Sequence, residues 1–371
     1  MFGLIIGLIL FPVLVFVIYR IYRDFIKCLH YSRNLPLSNI QPDISIIKPV
    51  KGADEFSENN YRSWLGQDYS GTKQVIFSFQ DKSDPGIVIV KQIQDLDHIK
   101  IVVNPVAEGF SGKMSNLFYG LKKAKYNILI LSDSDIYAYP TTCRQIVYQL
   151  ENRSDMVSCL TRHLNPKNLW ARIFAGFWNF EQIGFIAPSI LENGNKAMGG
   201  TIGLSKNALN ILGGIEAFKD YVAEDVAMGT RAKELGIKVS LGPIVDSPVG
   251  TLNFNELINK FTRAALYGIS MKKTNHNSQY AILYSYLLIL ILSAIFWNYS
   301  LMILGFLLAI STLILKSHLW FLVSGEKRVC YESIFGDVIF LSVFFKSLFL
   351  RTTTWGGIKY RVLSGGRMVK L

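Results

Sequence analysis

The stretch "YNILILSDSDIYAY", residues Tyr126–Tyr139, predicts a buried strand that ends in two carboxylates. Four of the five residues in Asn127–Leu131 are aliphatic and Ser132 follows them, which is typical of a strand in a parallel sheet. Asp133 and Asp135 come directly afterwards. Because alternate residues of a strand face the same way, both acids are expected on one side of the sheet's carboxyl edge. Two like charges this close repel each other, so the stretch predicts a cation between them.

Strands and helices alternate on the N-terminal side of this stretch. Predicted strands lie within Pro42–Gly52, within Lys73–Gly86 and in the run "HIKIVVNP". Helices are predicted over Ile87–Leu96 and from Lys113, with Ser111 as its cap. This alternation predicts an α/β fold with a mostly parallel, doubly wound sheet. Ligands bind beyond the carboxyl ends of such strands, where both Asp81 and Asp133 are expected.

The D-x-D string Asp133-Ser134-Asp135 has two interpretations. Such short strings also arise by chance in loops. At the end of a buried strand, the string favours a divalent cation site. Hard carboxylate oxygens suit Mg²⁺ or Mn²⁺, which bridge carboxylates to phosphates.

A second acidic motif lies in "DYVAEDVAMGTRAKELG", where Glu224 and Asp225 open a predicted helix that ends near Gly236. Acids in a first helical turn can simply complement the helix dipole, or one of them can act as a general base. Glycines precede the motif at positions 199, 200 and 203, in "AMGGTIG". They indicate either a tight turn or a close approach of backbone to ligand.

Three apolar zones predict membrane segments. Phe2–Tyr19 has 18 residues without a charge, about 27 Å as a helix, and no cleavage-site pattern follows it. Tyr280–Leu315 is long enough for two spans, with Trp297–Ser300 as the turn. Ile334–Leu350 contains Asp337 and Lys346, so it is either a span or an interfacial helix. The predicted organisation is an anchor at 1–22, a globular domain at 40–278, a hairpin at 279–316, and a third segment with a basic tail at 334–371.

The formal net charge of +12 is explained first by membrane flanks and anionic lipid headgroups. Basic residues follow the first apolar zone and flank the second, which predicts a cytoplasmic domain. The basic C-terminal tail favours the same side, and therefore an interfacial third segment. No nucleic-acid-binding motif is present. The four cysteines, Cys28, Cys143, Cys159 and Cys330, lack metal-ligand spacing.

Seven motifs in order carry a family resemblance: "SIIKPVKG", "SFQDKSDPG", "GFSGKMSNL", "LILSDSDI", "GGTIGLSKNALNILGG", "AEDVAMG" and "WGGIKYRV". Together with the apolar segments they resemble membrane-bound, family-2-type inverting glycosyltransferases of the GT-A fold. Among these, the chain is similar to ceramide glucosyltransferases and the related bacterial hopanoid-associated enzymes. The resemblance implies a UDP-sugar donor, a membrane lipid acceptor and a Mn²⁺ or Mg²⁺ cofactor.

The resemblance also implies roles for individual residues. Asp225 would be the catalytic base, with Glu224 and Arg263 assisting, and Asp135 would bind the metal. The donor or its nucleotide would contact a further set: Lys48, Pro49, Lys51, Asp81, Lys113, Asn116 and Asp133. These residue types suit the chemistry, since a leaving diphosphate needs a cation and the acceptor hydroxyl needs a base within about 3 Å.

One motif departs from the family's pattern. These enzymes usually carry Q/R-x-x-R-W after the base, whereas this chain has Lys260, Arg263 and Ala264 in those places. Loss of the tryptophan removes a flat wall and leaves the acceptor's identity open.

Two competing functions are a processive polysaccharide synthase and a non-catalytic membrane assembly or transport component. A synthase is expected to have more spans and an intact motif. A transporter is expected to have polar groups inside its spans, and Tyr280–Leu315 has no charged residue. The aromatic stretch Leu169–Ile190 fits either a core helix or an amphipathic element in the headgroup plane.

Overall fold

The structure is a computed structural model that describes residues 2–93, 98–194, 196–270, 284–295, 297–355 and 357–371. The predicted basic flank at Lys272 and Lys273 and the predicted hairpin start at Tyr280 lie outside these residues. The predicted end of the helix at Leu96 also lies outside them.

The chain divides into two compact units. The sheet unit comprises Cys28–Asn165 and Ile186–Pro248. The bundle unit comprises Met1–Lys27, Pro166–Phe185 and Val249–Leu371. Each unit is described separately below.

The described residues form eleven strands, of which the first four lie where the sequence predicts them. They are β1 Ile44–Pro49, β2 Lys73–Phe79, β3 Ile99–Val103, β4 Ile128–Ser132, β5 Tyr137–Ala138, β6 Met156–Pro166, β7 Thr201–Ser205, β8 Val239–Gly250, β9 Thr352–Trp355, β10 Ile358–Val362 and β11 Met368–Lys370.

The α-helices alternate with these strands until the C-terminal third of the chain. They are α1 Phe2–Arg33, α2 Ser57–Leu65, α3 Pro85–Gln92, α4 Gly112–Leu121, α5 Thr142–Asn152, α6 Leu169–Glu181, α7 Ala187–Asn193, α8 Lys206–Ile211, α9 Glu224–Glu234, α10 Phe254–Ser270, α11 Ser285–Ile295, α12 Tyr299–Ser324 and α13 Glu332–Phe349. A π-helix, Gln182–Ile186, follows α6, and a 3₁₀ turn, Ile215–Phe218, precedes α9.

The large sheet has the order β3-β2-β1-β4-β7-β6-β8-β5 within the described residues. The strands β3, β2, β1 and β4 are parallel to their neighbours, which confirms the prediction for the N-terminal half. Beyond β4 the pairing changes, since β7 runs antiparallel to both β4 and β6. The sheet is therefore mixed, with its parallel part built from the strand–helix repeats.

The change of direction at β4 decides which residues meet. Because β7 is antiparallel to β4, its first residue, Thr201, lies opposite the last residue of β4, Ser132. The glycines before β7 consequently lie beside the acids after β4, and the Asp133 backbone N–H donates to the Gly200 carbonyl at 2.8 Å.

The core of the sheet unit comes from the apolar residues that the strand pattern predicts. Ile46, Phe77 and Ile130, on three neighbouring strands, are fully buried. Burying such side chains stabilises the fold by about 1.5–3 kcal/mol each. This core holds the carboxyl ends of β1, β2 and β4 at one edge.

The aromatic stretch after Leu169 is a core helix of the bundle unit. In α6, Phe174, Phe177 and Phe180 are buried. Phe177 packs against Phe261 of α10 and Phe340 of α13, with ring centroids 4.6 Å apart in both cases. Of the two interpretations of this stretch, packing of this kind favours the core helix.

By length and composition, one described helix is long and apolar enough to cross a membrane: Tyr299–Ser324, whose most apolar 18-residue window has a mean hydropathy of 2.0. The shorter Tyr286–Ile295 is also apolar. The predicted third segment forms the 18-residue helix α13.

Asp337, the acid inside that third segment, is fully buried and paired. Lys316 of α12 donates to its two carboxylate oxygens at 2.5 and 2.6 Å, and Tyr286 of α11 donates at 2.9 Å. The opposite side of α13 exposes apolar residues, including Phe335 and Phe345. The helix thus keeps Asp337 inside the bundle, together with Phe340 and Val343, while Lys346 and part of its apolar surface are exposed.

Candidate active site

A backbone hydrogen bond joins the start of α4 to the loop before α9. Ser111 caps α4, as predicted, by accepting from the Met114 backbone N–H at 3.4 Å. The Ser111 backbone N–H in turn donates to the Lys219 carbonyl, just before the second acidic motif. This contact brings Lys113, in the first turn of α4, near the start of α9.

Lys113 is the cation between the two acidic motifs. Its Nζ lies 2.7 Å from Oδ1 of Asp133 and 2.5 Å from Oε1 of Glu224. Burial lowers the pKa of Lys113, but the two carboxylates outweigh burial and raise it above its ordinary value. The ammonium therefore stays protonated and links the end of β4 to the start of α9.

Asp225 lies beside Glu224 and faces the glycines before β7. A Cβ placed on Gly199 would lie only 2.9 Å from Oδ2 of Asp225, so glycine at this position leaves the carboxyl room where it stands. Desolvation, followed by repulsion from Glu224, raises the pKa of Asp225 to about 7, although Lys113 opposes the shift. A carboxyl with that pKa can accept a proton at neutral pH.

Lys48 is fully buried below the end of β4. Its ammonium donates to the Asp133 backbone carbonyl at 2.7 Å and to Ser132 Oγ at 3.2 Å, and it lies 5.1 Å from the Trp64 ring centroid. Burial lowers the pKa of Lys48 to about 7, and Asp135 and Asp133 oppose the shift. Lys48 thus supports the acidic loop from beneath.

Asp135 and Asp133 contact different side chains. It is exposed, and its Oδ2 accepts a hydrogen bond from Ser247 Oγ at 3.1 Å. Among the described residues, no group of three or more His, Cys, Asp or Glu side chains could hold a metal. A single accessible carboxylate fits Mg²⁺ or Mn²⁺, which take one or two protein carboxylates and complete their shell with phosphate oxygens and water. Asp135 therefore fits a metal that arrives with a diphosphate.

The remaining residues that we predict to bind the nucleotide lie near the ends of β1 and β2. Asn116 is buried and donates to the Val50 carbonyl at 2.9 Å, which fixes the loop that carries Lys51 after Pro49. Lys51 is exposed. Asp81 is also exposed, and a hydrogen bond from the Ser83 backbone N–H lowers its pKa.

Arg263 belongs to the bundle unit, on α10. Its guanidinium lies 5.3 Å from the ring centroid of Trp355, the first residue of "WGGIKYRV". Lys260 lies over Phe174 at 4.8 Å. An indole from β9 thus lies next to Arg263, in a motif that has Ala264 where the family usually has tryptophan.

A second charged network was not anticipated from the sequence. Arg162 of β6 donates to both oxygens of Asp246 at 2.8 and 3.0 Å, and Tyr139 donates to the same carboxylate at 2.6 Å. Asp246 lies in β8 next to Ser247, which contacts Asp135. No local pattern marks these residues, because the β5–β8 pairing that joins them links distant parts of the chain.

Comparison with known proteins identifies the family. Residues 8–368 match the family described as "Glycosyl transferase family 21". The chain belongs to glycosyl transferase family 21. This family bears out the predicted resemblance to glycosyltransferases.

Several curated relatives of this family 21 chain are named as ceramide glucosyltransferases. "Ceramide glucosyltransferase 1" of Caenorhabditis elegans is 25% identical over 211 residues, which cover 54% of this chain and 44% of the relative. "Ceramide glucosyltransferase" of Komagataella phaffii is 26% identical over 140 residues, which cover 36% of this chain and 27% of the relative. The match thus spans less than half of each relative.

The fold of the family 21 chain resembles that of a solved glycosyltransferase. The structure of "Mannosyltransferase PcManGT from Pyrobaculum calidifontis in complex with GDP-Man and Mn2+" matches with a TM-score of 0.54 and 14% identity. The match covers 93% of this chain and 98% of that chain. It confirms the predicted GT-A-like fold.

Proposed function

We propose that the protein transfers a hexose, in the first instance glucose, from a UDP-sugar to the hydroxyl of a membrane lipid such as ceramide. The family and the names of the curated relatives support this substrate class. The single observation that carries the proposal is the carboxyl of Asp225, whose pKa is raised to about 7 beside a glycine that leaves its Oδ2 room.

In this proposal Asp225 is the general base of a single displacement. Its carboxylate takes the proton of the acceptor hydroxyl while that oxygen forms a bond to the anomeric carbon. The bond from the anomeric carbon to the diphosphate oxygen breaks on the opposite side, so the configuration inverts and UDP leaves. Proton removal by a positioned base contributes about 10²–10⁴-fold to such a rate.

The other members of the cluster hold the donor and the base in place. Glu224, bonded to Lys113, fixes the first turn of α9 and hence the position of Asp225. Lys113 and Lys51 are cations at the end where a diphosphate would bind. A divalent metal held by Asp135 would supply electrostatic stabilisation of the leaving diphosphate.

The exposed apolar surface of the bundle unit is the reason for proposing a lipid acceptor. Helix α12 has 26 residues, and only 28% of its most apolar 18-residue window is buried within the protein. Its exposed residues include Ile303, Phe306 and Ile310. Together with the apolar first zone and the basic flanks, this surface supports an integral membrane enzyme with its sheet unit on the cytoplasmic side.

The test uses the full chain in nanodiscs with a panel of UDP-sugars, Mn²⁺ or Mg²⁺, and either ceramide or a total lipid extract. We expect a new glycolipid by mass spectrometry with wild type. Asp225→Asn should lower kcat by about 10²–10⁴-fold and leave UDP binding unchanged. The matched control is Glu234→Gln, an exposed acid at the far end of the same helix, which should retain wild-type activity.

Two results would overturn the proposal. Wild-type turnover in Asp225→Asn would exclude this residue as the base. Binding of no UDP-sugar by a folded wild-type protein would exclude the donor class, and with it the role of Lys113 and Asp135.

A further inference from the structure

The last part of the chain is strongly basic. Residues 338–371 contain six Lys or Arg and no Asp or Glu, so they carry half of the formal net charge of +12. The six residues are Lys346, Arg351, Lys359, Arg361, Arg367 and Lys370, and all of them are exposed. A charge of one sign on this scale predicts an anionic partner.

Three of these residues, Lys359, Arg361 and Lys370, lie in the three-stranded antiparallel sheet β9-β10-β11, and Arg367 lies just before β11. Its register separates two faces, since residues paired across strands point to the same side. The inner face is formed by Thr353, Tyr360, Val362 and Met368, which are buried.

The other face combines cations with exposed aliphatic side chains. We refer to it as the basic face, and it consists of Lys359, Arg361, Leu363, Arg367, Val369 and Leu371. Leu363, Val369 and Leu371 are 43%, 50% and 56% exposed. A face that mixes aliphatic side chains with cations, and has no acids, suits a headgroup layer better than bulk water.

The helix that leads into this sheet ends in exposed apolar residues. Phe349, the last residue of α13, is 85% exposed, and Phe345, Leu348 and Leu350 are exposed as well. The backbone then passes directly into β9. An apolar helix end followed by basic side chains is the order expected where a chain leaves hydrocarbon for headgroups.

The sheet is attached firmly to the rest of its unit. The Gly365 backbone N–H donates to the carbonyl of Ser270, the last residue of α10, at 3.1 Å. At the other end of the sheet, Trp355 lies under Arg263 of the same helix. The basic face is therefore held in a fixed orientation relative to α10.

We propose that the basic face rests on the anionic phospholipid headgroups of the bilayer, with its aliphatic side chains inserted between them. This inference rests on the membrane location in the proposed function, but not on the transfer reaction. It places α10, which carries Arg263, at the membrane surface.

The experiment follows a label on this face in nanodiscs. All four native cysteines are buried, so Thr354→Cys, which pairs with Lys359 on the basic face, accepts a fluorophore selectively. Nanodiscs contain either phosphatidylcholine alone or two parts phosphatidylcholine to one part phosphatidylserine. A small fraction of lipid with a spin-labelled headgroup quenches the fluorophore when it is close.

We expect strong quenching in the anionic nanodiscs and weaker quenching in phosphatidylcholine alone. Salt at about 1 M, where the Debye length is about 3 Å, should reduce the difference. Lys359→Gln should lower the apparent equilibrium constant for contact by roughly fivefold, and Lys359→Gln/Arg361→Gln by roughly 25-fold.

The matched control is Lys370→Gln, which removes the same charge from the same sheet but from the opposite face, since Lys370 pairs with Tyr360. It should change quenching much less than Lys359→Gln. Equal quenching in both lipid compositions, or equal effects of Lys359→Gln and Lys370→Gln, would overturn the inference. If quenching in the anionic nanodiscs is lost when a soluble acidic protein or nucleic acid is added, the basic face would be assigned to that competitor instead of to the headgroups. Because the readout needs no substrate, its failure is distinguishable from loss of glycosyl transfer.

Discussion

The sheet unit and the bundle unit each contain a lysine between acidic or phenolic groups, and the two clusters differ in access to water. Lys113 in the sheet unit bridges Asp133 and Glu224, and 23% of its side chain and 31% of that of Asp133 are exposed. Lys316 in the bundle unit pairs with Asp337, and their side chains are only 3% and 0% exposed.

Under the proposed function, this difference separates a cluster that binds the donor from one that is purely structural. In the bundle cluster, both Asp337 oxygens accept from Lys316 and Tyr286 adds a third hydrogen bond, so no further ligand is needed. In the sheet cluster, a charged donor can compete with Asp133 for Lys113, because water and ligands reach both groups. The same residue types thus stabilise one unit and, under the proposed function, bind an anionic donor in the other.

The largest expected effect breaks the bundle cluster. Lys316→Met leaves Asp337 buried without its cation and should lower the free energy of unfolding by about 3–5 kcal/mol. Thermal unfolding in detergent or nanodiscs measures this loss. The double variant Lys316→Met/Asp337→Leu removes both charges and should recover most of it. A double variant as unstable as the single one would contradict the interpretation of this pair as a closed structural contact.

The corresponding change in the sheet cluster should affect activity more than stability. Lys113→Met removes the link between Asp133 and Glu224; water can solvate the partly exposed Asp133 carboxylate, whereas Glu224 is left buried without its cation. We expect kcat/KM to fall by about 10²-fold, as positioning losses typically do, with a smaller change in melting temperature than Lys316→Met causes. Lys113→Arg keeps the charge and should recover part of the activity. A melting temperature lowered as much as in Lys316→Met would mean that the two clusters do not differ.

A smaller effect is expected from the glycine beside the base. Gly199→Ala places a methyl group 2.9 Å from Oδ2 of Asp225 and should displace the carboxylate. A displacement of this kind should cost about tenfold or more in kcat, because reacting groups tolerate little misplacement. Gly268→Ala in α10, where a Cβ meets nothing within 4 Å, is the control and should leave kcat unchanged. Equal kinetics for the two variants would contradict the proposed position of the base.

The smallest expected effect is a shift in the pH profile. The carboxylate form of Asp225 increases as pH rises through its raised pKa of about 7, so kcat/KM should rise through this range and then level off. Lys113 lowers this pKa, so Lys113→Met should move the midpoint to higher pH. Glu224 raises it, so Glu224→Gln should move the midpoint to lower pH. Initial rates between pH 5 and 9, within the range of the base's titration, measure both shifts, and shifts of the same sign would contradict the assignment of Asp225.

Much of the fold was predictable because it follows local patterns. The aliphatic run before Asp133, the Ser111 cap and the glycine after α9 each mark an element within a few residues. The parallel half of the sheet follows from strands that alternate with helices. The antiparallel half was missed, since the order and direction of β7, β6 and β8 depend on contacts between distant segments.

The candidate site likewise combines features that local sequence predicts with features that depend on contacts between distant segments. The sequence by itself determined that acids follow β4, that Glu224 and Asp225 open a helix, and that a cation belongs near Asp133. The sequence favoured a metal ion as that cation. The tertiary structure instead places the Lys113 ammonium beside Asp133, while Asp135 accepts a hydrogen bond from Ser247. The buried pairing of Asp337 and the place of Trp355 beside Arg263 were also decided only in three dimensions. The physical reason is that periodicity reports which way a side chain points, while packing between distant elements decides which charge it meets.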